Sequence, residues 1–305
     1  MHRFVVRSIL ALVCVVSAQI ALPQTPDLTV ASFNVESGDA NPATLSDDLR
    51  RVAATDIWGF SEVQNASWAQ AFDSALTTSG NDYETILGTT GGEDRLLIVF
   101  NSSRLERLSH QELSAINIGG TGRAPLVGHF RLRDGGQEFL FVVNHLFRGN
   151  ANSRRQQATA LNTWATAQTL PVIAVGDYNF DWNLPNGETS HDVGFDNLTA
   201  NGVFEWVSPP VLIKTQCDPG FNSVLDFVFV AGAAKNWRGS SEILFREPTY
   251  CPDDNRHSDH RPIRAEFILD EAPGGDWEAA VLERIEAIER QLEELKQMIR
   301  ERPPQ

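Results

Sequence analysis

The chain has 305 residues and carries 40 acidic against 25 basic side chains, a formal net charge of −15. A chain of this length can bury the deep core of one large α/β domain. Its acidity argues against a protein that grips nucleic acid tightly and without specificity, because such binding depends on Lys and Arg neutralising many phosphates. The charge is compatible with an enzyme that meets phosphate groups through metal ions and a few Arg side chains.

Residues 1–18 have the pattern of a secretory signal peptide. A basic start with His2 and Arg3 is followed by an apolar run over 9–16 and by Val16-Ser17-Ala18, which fits a small-residue cleavage site. The apolar run is too short for a bilayer span, which takes about 20 residues. We therefore predict a protein exported to the extracellular or periplasmic space, without stable membrane association.

The chain has three cysteines. Cys14 lies inside the predicted signal peptide, where a lipid anchor is the alternative, although Val13 before it fits that signal poorly. Cys217 and Cys251 remain after cleavage, and an even pair in an exported protein predicts one disulfide. Two unrelated thiols are the alternative.

Hydrophobic periodicity predicts alternating strands and helices over residues 19–270. In chain order these are strand Leu28–Asn34, helix Pro42–Ala54, strand Ile57–Phe60, helix Ser67–Leu76, strands Arg95–Phe100, Leu126–Leu132 and Phe139–Asn144, helix Arg154–Ala167, and strands Val172–Val175, Val224–Val230 and Ile263–Ile268. Polar residues repeatedly follow or end the strands: Asn34, Glu62, His145, Asp177 and Asp226. One polar strand end would be ordinary wet surface, but five metal-ligand and acid–base residue types predict a site at one edge of the core.

A composition break follows Asp270. Residues 271–276 form a Pro- and Gly-containing linker. Beyond it, apolar residues recur at alternating spacings of four and three: Val281, Ile285, Ile288, Leu292, Leu295 and Ile299. This heptad seam predicts a coiled-coil-like C-terminal helix over 277–305 that joins copies of the chain into a homo-oligomer. A lone amphipathic helix docked on the domain is the alternative.

Six ordered segments carry residues suited to phosphate chemistry: Ala31-Ser-Phe-Asn34-Val, Gly59-Phe-Ser-Glu62-Val, Val143-Asn-His145-Leu, Val175-Gly-Asp177-Tyr-Asn179-Phe, Ser223-Val-Leu-Asp226-Phe and His257-Ser-Asp259-His260-Arg-Pro262. In this order they resemble the endonuclease/exonuclease/phosphatase superfamily, which includes pancreatic-type deoxyribonucleases, over about residues 28–269. Gly-Asp-Tyr-Asn followed about eighty residues later by Ser-Asp-His-Arg-Pro is the most specific part. The resemblance implies an α/β fold, a two-sheet α/β sandwich with helices on the outer faces.

The ligand types in these segments predict a hard divalent cation. Glu62 is the strongest single ligand, Asn34 can add its side-chain oxygen, and Asp259 adds a second carboxylate. Such oxygen donors suit Mg²⁺ or Mn²⁺, with Ca²⁺ as an additional option. The sequence lacks the Cys or paired-His spacing of a zinc site.

The resemblance further implies that His145 and His260 flank the scissile phosphate, where one activates water and the other donates a proton. A catalytic His usually has a carboxylate behind it, and we predict Asp226 behind His260 and Asp94 behind His145. Asp177 and Asn179 are predicted to bind the water and the phosphate, or a second metal ion. The sequence does not distinguish between Asp177 and His260 as the base.

Four arginines are predicted to contact phosphate. Arg148, Arg154 and Arg155 follow the His145 strand, and paired Arg donors suit phosphate oxygens. A solvated helix start is the alternative interpretation of these three residues. Arg123 is a further prediction for a residue that faces the site.

The function predicted from these observations is divalent-metal-dependent hydrolysis of nucleic-acid phosphodiester bonds by activated water. A lipid or small-molecule phosphodiesterase or phosphatase on the same scaffold is the alternative, since the site and not the fold determines function. The lack of an obvious aromatic-tipped apolar hairpin argues against a lipid substrate. A catalytically inactive binding module is the third hypothesis, and the intact set of site residues argues against it.

Overall fold

The computed structural model describes residues 25–77, 80–251 and 255–269. The predicted signal peptide (1–18), linker (271–276) and C-terminal helix (277–305) lie outside these residues. No helix within the described ranges is both long and apolar enough to cross a membrane.

Twelve strands of the described residues form two six-stranded sheets. The first sheet has the order β11-β12-β1-β2-β4-β3 and comprises β1 (Leu28–Asn34), β2 (Ile57–Val63), β3 (Tyr83–Leu87), β4 (Arg95–Asn101), β11 (Arg238–Ile243) and β12 (Ile263–Ile268). The second has the order β5-β6-β7-β8-β10-β9 and comprises β5 (Leu105–Glu112), β6 (Leu126–Leu132), β7 (Glu138–His145), β8 (Val172–Asn183), β9 (Phe204–Trp206) and β10 (Ser223–Ala231). Each sheet contains one parallel pair, β1 with β2 and β7 with β8.

The two sheets pack face to face around a buried apolar layer. Leu28 and Val30 of β1 belong to this layer with Phe141 of β7. Because side chains alternate along a strand, Ala31 and Phe33 belong to the opposite face of the first sheet. Both faces of the central strands are covered, which is why those strands are almost continuously apolar.

Helices cover the two outer faces. Helices α1 (Pro42–Arg51) and α2 (Ala66–Leu76) pack on the first sheet, and α3 (Ala151–Thr166) and α4 (Val193–Thr199) pack on the second. Each helix begins after an Asn or Asp whose side chain accepts a backbone N–H of the first turn: Asn41, Asn65, Asn150 and Asp192. The predicted two-sheet sandwich with outer helices is confirmed.

Four strands were not predicted, and they are the four edges of the sheets: β3, β5, β9 and β11. An edge strand pairs on one side only, and most residues of β5 and β11 are partly or fully exposed. Such strands lose the apolar alternation on which a sequence prediction depends. Helix α4 was missed as well, because seven residues are too few for a clear helical period.

Candidate active site

Three neighbouring strands of the second sheet bring the predicted catalytic residues side by side. His145 ends β7 and stands directly opposite Asp177 of β8 in the parallel pair. Asp226 of β10 stands opposite Asp177 on its other side. A register shift between Val224 and Asp226 marks a bulge at this point of β10. Bulges often re-aim side chains at functional sites.

Strand β8 does not stop at Val175, as the hydrophobic pattern predicted, but continues to Asn183. Gly176 has φ 139°, and a Cβ there would lie 1.9 Å from the carbonyl oxygen of Asn144, so only glycine fits. Asn179, at φ 52°, donates its backbone N–H to Asp177 Oδ1 at 2.9 Å. This irregular backbone makes Asp177 a mid-strand residue aimed into the site.

Glu62 is delivered by an irregularity in the first sheet. The register between β2 and β4 shifts between Phe60 and Val63, and Glu62 takes a left-handed φ of 62°. Its Oε1 accepts a hydrogen bond from Asn34 Nδ2 at 2.9 Å, and the same amide donates to Asp177 Oδ2 at 3.1 Å. Asn34 thus links carboxylates from both sheets. The left-handed backbone of Glu62 is a strained conformation of the kind that is typical of functional positions.

His260 is held by the carboxylate predicted for it. Its Nδ1 lies 2.8 Å from Asp226 Oδ2, and its Nε2 is 3.8 Å from both Asp177 Oδ2 and Asp259 Oδ1. Burial lowers the pKa of His260, but the charge of Asp226 and its hydrogen bond, with the charges of Asp177 and Asp259, outweigh this and raise it to about 10.

His145 lies across Asp177 from His260. Its Nε2 is 3.5 Å from Asp177 Oδ2 and 3.8 Å from Glu62 Oε1. Asp94 is placed behind it, with Oδ1 3.5 Å from Nδ1. The other oxygen of Asp94 forms an ion pair with Arg123 at 2.6 Å, and the Arg123 guanidinium contacts the His145 ring. The structure therefore brings Asp94, His145 and Arg123 together at the site.

The acidic groups of the site fit a divalent cation. Burial raises the pKa of Asp259, the charge of His260 opposes this, and the negative charges of Glu62 and Asp177 raise it further. Burial raises the pKa of Asp177 too. A cation would relieve this crowding of carboxylates, whose oxygens are hard donors. The Asn34 amide nitrogen faces Glu62 and Asp177, and its Oδ1 accepts the Glu36 N–H at 3.1 Å. For Glu62, burial alone raises the pKa, but the charge of His145 and the Asn34 hydrogen bond bring it below its usual value.

A second grouping of ligand atoms combines Glu62, Asp94 and His145, whose atoms lie within 4.8 Å of one another. The Arg123 cation already pairs with Asp94 and contacts His145. That positive charge offsets the negative charges of Glu62 and Asp94 and would weaken the binding of a metal ion by this grouping.

The predicted arginine patch needs correction. Arg154 is 5% exposed, and its guanidinium donates to Asp192 Oδ2 at 2.8 Å and to the carbonyl oxygens of Phe147 and Arg148. Arg155 pairs with the same Asp192 at 3.1 Å. Arg154 therefore neither faces a phosphate nor lies in solvent at the start of a helix, which were the two interpretations of the sequence. It is the buried partner of an ion pair. Arg148 is exposed.

Sequence reasoning missed the residues that hold the Asp259 segment in place. Glu36 Oε2 accepts the backbone N–H of Asp259 at 2.8 Å, and Gln216 Nε2 donates to Asp259 Oδ2 at 3.2 Å. Ser258 Oγ donates to the carbonyl oxygen of Asn34 at 2.6 Å. Ser258 and Glu36 stand within two residues of predicted ligands, a proximity that could have singled them out. Gln216 carried no such signal.

The predicted disulfide is confirmed. Cys217 and Cys251 are bonded, with their Cα atoms 5.1 Å apart. The backbone N–H of Cys217 donates to the carbonyl oxygen of Asp259 at 2.6 Å. The bond therefore anchors a loop that touches the site directly.

Comparison with known proteins agrees with this fold. The model of the Endonuclease/Exonuclease/phosphatase family matches residues 31–260. No curated protein sequence is significantly similar to the chain. Several solved structures share its fold. An endonuclease/exonuclease/phosphatase family protein from Bacteroides thetaiotaomicron is 20% identical, with a TM-score of 0.61 over 80% of this chain and 95% of that one.

Two further structures have names that describe their chemistry. A mannosyl-6-phosphatase from Bacteroides thetaiotaomicron is 20% identical, with a TM-score of 0.60 over 79% of this chain and 100% of that one. TDP2 from D. rerio, complexed with a single-strand DNA product, is 18% identical, with a TM-score of 0.62 over 79% of this chain and 99% of that one. At these identities the likeness establishes the fold.

Proposed function

The chain belongs to the endonuclease/exonuclease/phosphatase family, and on that premise we propose that it is an exported, divalent-metal-dependent phosphodiesterase that hydrolyses nucleic acid. One observation carries the proposal. The Nε2 atoms of His145 and His260 lie 3.5 and 3.8 Å from the same oxygen of Asp177. His145 and Asp177 belong to neighbouring strands of the second sheet, and His260 lies in the loop before β12 of the first sheet. Two imidazoles around one buried carboxylate provide the proton donors and acceptor that phosphoester hydrolysis needs.

Asn34, Glu62 and Asp259 would hold the cation, which supplies charge relief on the phosphoryl oxygens when bound. Asp226 Oδ2 accepts a hydrogen bond from Nδ1 of His260. The Nε2 atom of that ring therefore faces the site, where it can donate to a phosphoryl oxygen or to the leaving oxygen. We assign the base role to Asp177, because a charged imidazole has no lone pair with which to accept a proton from water.

Nucleic acid is the preferred substrate for two reasons. Arg148 is exposed three residues after His145, where it can hold a neighbouring phosphate. The neighbour TDP2 was solved with a single-strand DNA product. A small-molecule phosphatase is the second candidate. Arg154 and Arg155 pair with Asp192, so fewer basic side chains remain to bind successive phosphates of a long nucleic acid. One of the structures with the same fold is a mannosyl-6-phosphatase.

Glu62→Gln is the test of the metal mechanism. We expect activity to fall by roughly 10²–10⁴-fold with the fold intact, because the change removes one charge from the proposed metal site and little packing volume. Excess chelator should abolish wild-type activity, and Mg²⁺ or Mn²⁺ should restore it. Glu138→Gln is the matched control, because Glu138 pairs with Arg131 and His129 on another surface.

The substrate panel for this experiment contains supercoiled DNA, linear single-stranded DNA, RNA, sphingomyelin, inositol phosphates and a hexose phosphate, all with Mg²⁺. Cleavage of a polynucleotide that is lost in Glu62→Gln supports the proposal. Turnover of monoesters or lipids alone, lost in the same variant, would show that the substrate is wrong and the metal site right. Full activity in excess chelator would contradict the mechanism itself.

A further inference from the structure

Phe221 is an exposed aromatic residue beside the site. It is 40% exposed, and among the described residues the other exposed large hydrophobic side chains are Val193 and Val211. The Arg148 guanidinium carbon lies 5.3 Å from the centroid of the Phe221 ring, a cation–π distance. The two side chains, which we call the rim pair, combine a flat apolar face with a positive charge.

The loop that carries Phe221 is held by many bonds. Lys214 Nζ donates to the carbonyl oxygens of Cys217, Asp218 and Phe221 at 3.1–3.3 Å. Asp218 Oδ1 accepts the Gly220 N–H at 2.7 Å, and the disulfide fixes Cys217 to Cys251. These bonds restrain the backbone that carries the ring, and a preorganised segment loses less entropy when it binds a ligand.

The same loop borders the catalytic residues. Gln216 pairs with His260 as an isolated β-bridge, and Cys217 N–H donates to the Asp259 carbonyl oxygen. Arg148 follows His145 by three residues on the other side of the pair. The rim pair therefore stands on two segments that each continue directly into the catalytic residues.

We propose that Phe221 and Arg148 form a stacking subsite for one unpaired nucleobase next to the scissile phosphate, which makes the enzyme selective for single-stranded polynucleotide. The inference rests on the proposed function. A ring can stack on an unpaired base of any type, whereas the faces of a base inside a duplex are already covered. Stacking also supplies binding affinity that does not depend on charge. A chain of net charge −15 gains little affinity for nucleic acid from neutralising phosphates.

The experiment compares a single-stranded oligodeoxynucleotide with a chain of equal length built from stable abasic residues. We expect the wild-type KM for the abasic chain to exceed that for the base-bearing chain about tenfold, a typical value for the loss of one stacked base. Phe221→Leu should bring this ratio close to one, and Phe221→Trp should preserve it. Val211→Ala, at another exposed hydrophobic residue of the same region, should leave the ratio at its wild-type value.

The outcomes separate this inference from the proposed function. Equal KM values for the two chains in the wild type, with both chains cleaved, would overturn the stacking subsite alone. Cleavage of neither chain in the presence of Mg²⁺ would overturn the nuclease function and the subsite together. A Phe221→Leu variant impaired on a hexose phosphate, but with an unchanged KM ratio, would show that the ring contacts a sugar and that the proposal is wrong.

Discussion

His260 is almost completely buried, at 2% exposure, and carboxylates surround its ring. Asp226 Oδ2 accepts a hydrogen bond from Nδ1, and carboxylate oxygens of Asp177 and Asp259 lie 3.8 Å from Nε2. A buried ionised ring is tolerated only with such partners, since burial alone would neutralise it. The ring is consequently fixed in orientation, which proton donation to a substrate requires.

Asp226→Asn is expected to lower kcat by roughly 10²–10⁴-fold, the range typical of a lost general acid or base. The substituted amide could present its N–H₂ group to Nδ1 and so reverse the donor and acceptor roles of the ring. Steady-state kinetics with the best substrate of the panel measures the effect. The matched control is Asp196→Asn, since Asp196 contacts His191 at 3.1 Å on the surface. A kcat near the wild-type value for Asp226→Asn would mean that His260 is not the donor.

At the level of secondary-structure elements, Asp192 joins α3 to α4. Its Oδ1 caps α4 by accepting the Gly194 N–H at 2.7 Å, and its Oδ2 pairs with Arg154 of α3 at 2.8 Å. Side chains of Arg154 and Asp192 are each 6% exposed, so this ion pair is shielded from solvent. Removal of Arg154 would leave Asp192 with the more exposed Arg155 as its remaining ion-pair partner. It would also remove the donor to the carbonyl oxygens of Phe147 and Arg148.

Arg154→Met should therefore reduce the free energy of unfolding by about 1–3 kcal/mol, the cost of leaving buried hydrogen-bonding groups without a partner. Arg155→Gln is the control: the Arg155 side chain is 40% exposed and pairs with the same carboxylate, and its loss should cost less than about 1 kcal/mol. Urea unfolding of the two variants gives the comparison. An Arg154→Met protein of unchanged stability but raised KM would instead restore Arg154 as a phosphate contact.

The disulfide links two loops at the edge of the site. Replacement of both Cys217 and Cys251 by Ser should lower the unfolding free energy by roughly 4 kcal/mol, the chain-entropy value for a separation of 34 residues. Reductant should produce a similar loss in the wild type and none in the double variant. If urea midpoints were the same for oxidised wild type and double variant, the bond would carry no stability.

At the scale of the whole molecule, we predict that the C-terminal segment joins copies of the chain into an oligomer. The heptad seam from Val281 to Ile299 predicts a dimer or trimer, and it lies outside the described residues. Light scattering should give a multiple of the chain mass for the full chain and a single chain mass for a form that ends at Asp270. Equal, monomeric masses for the two forms would show that the seam does not join chains.

The sequence alone determined the central strands and most of the site. Leu28–Asn34, Leu126–Leu132 and Ile263–Ile268 have the predicted bounds, because apolar residues alternate with polar ones along most of each strand. Site residues were identifiable because Asp177, Asn179, Asp259 and His260 stand in short segments whose residue types are unusual together. These motifs consist of residues adjacent in the chain, so they can be identified without knowing which residues they contact in the folded protein.

The tertiary structure decided which side chains are free to act. Arg154 follows the His145 strand closely, yet its partner Asp192 is 38 residues away, and no periodicity connects them. Phe221 has an ordinary loop sequence, and it lies beside Arg148 on a loop that Lys214 and the disulfide hold in place. Edge strands, ion-pair partners and an exposed ring are set by which surfaces meet after folding, and that depends on contacts between residues far apart in the chain.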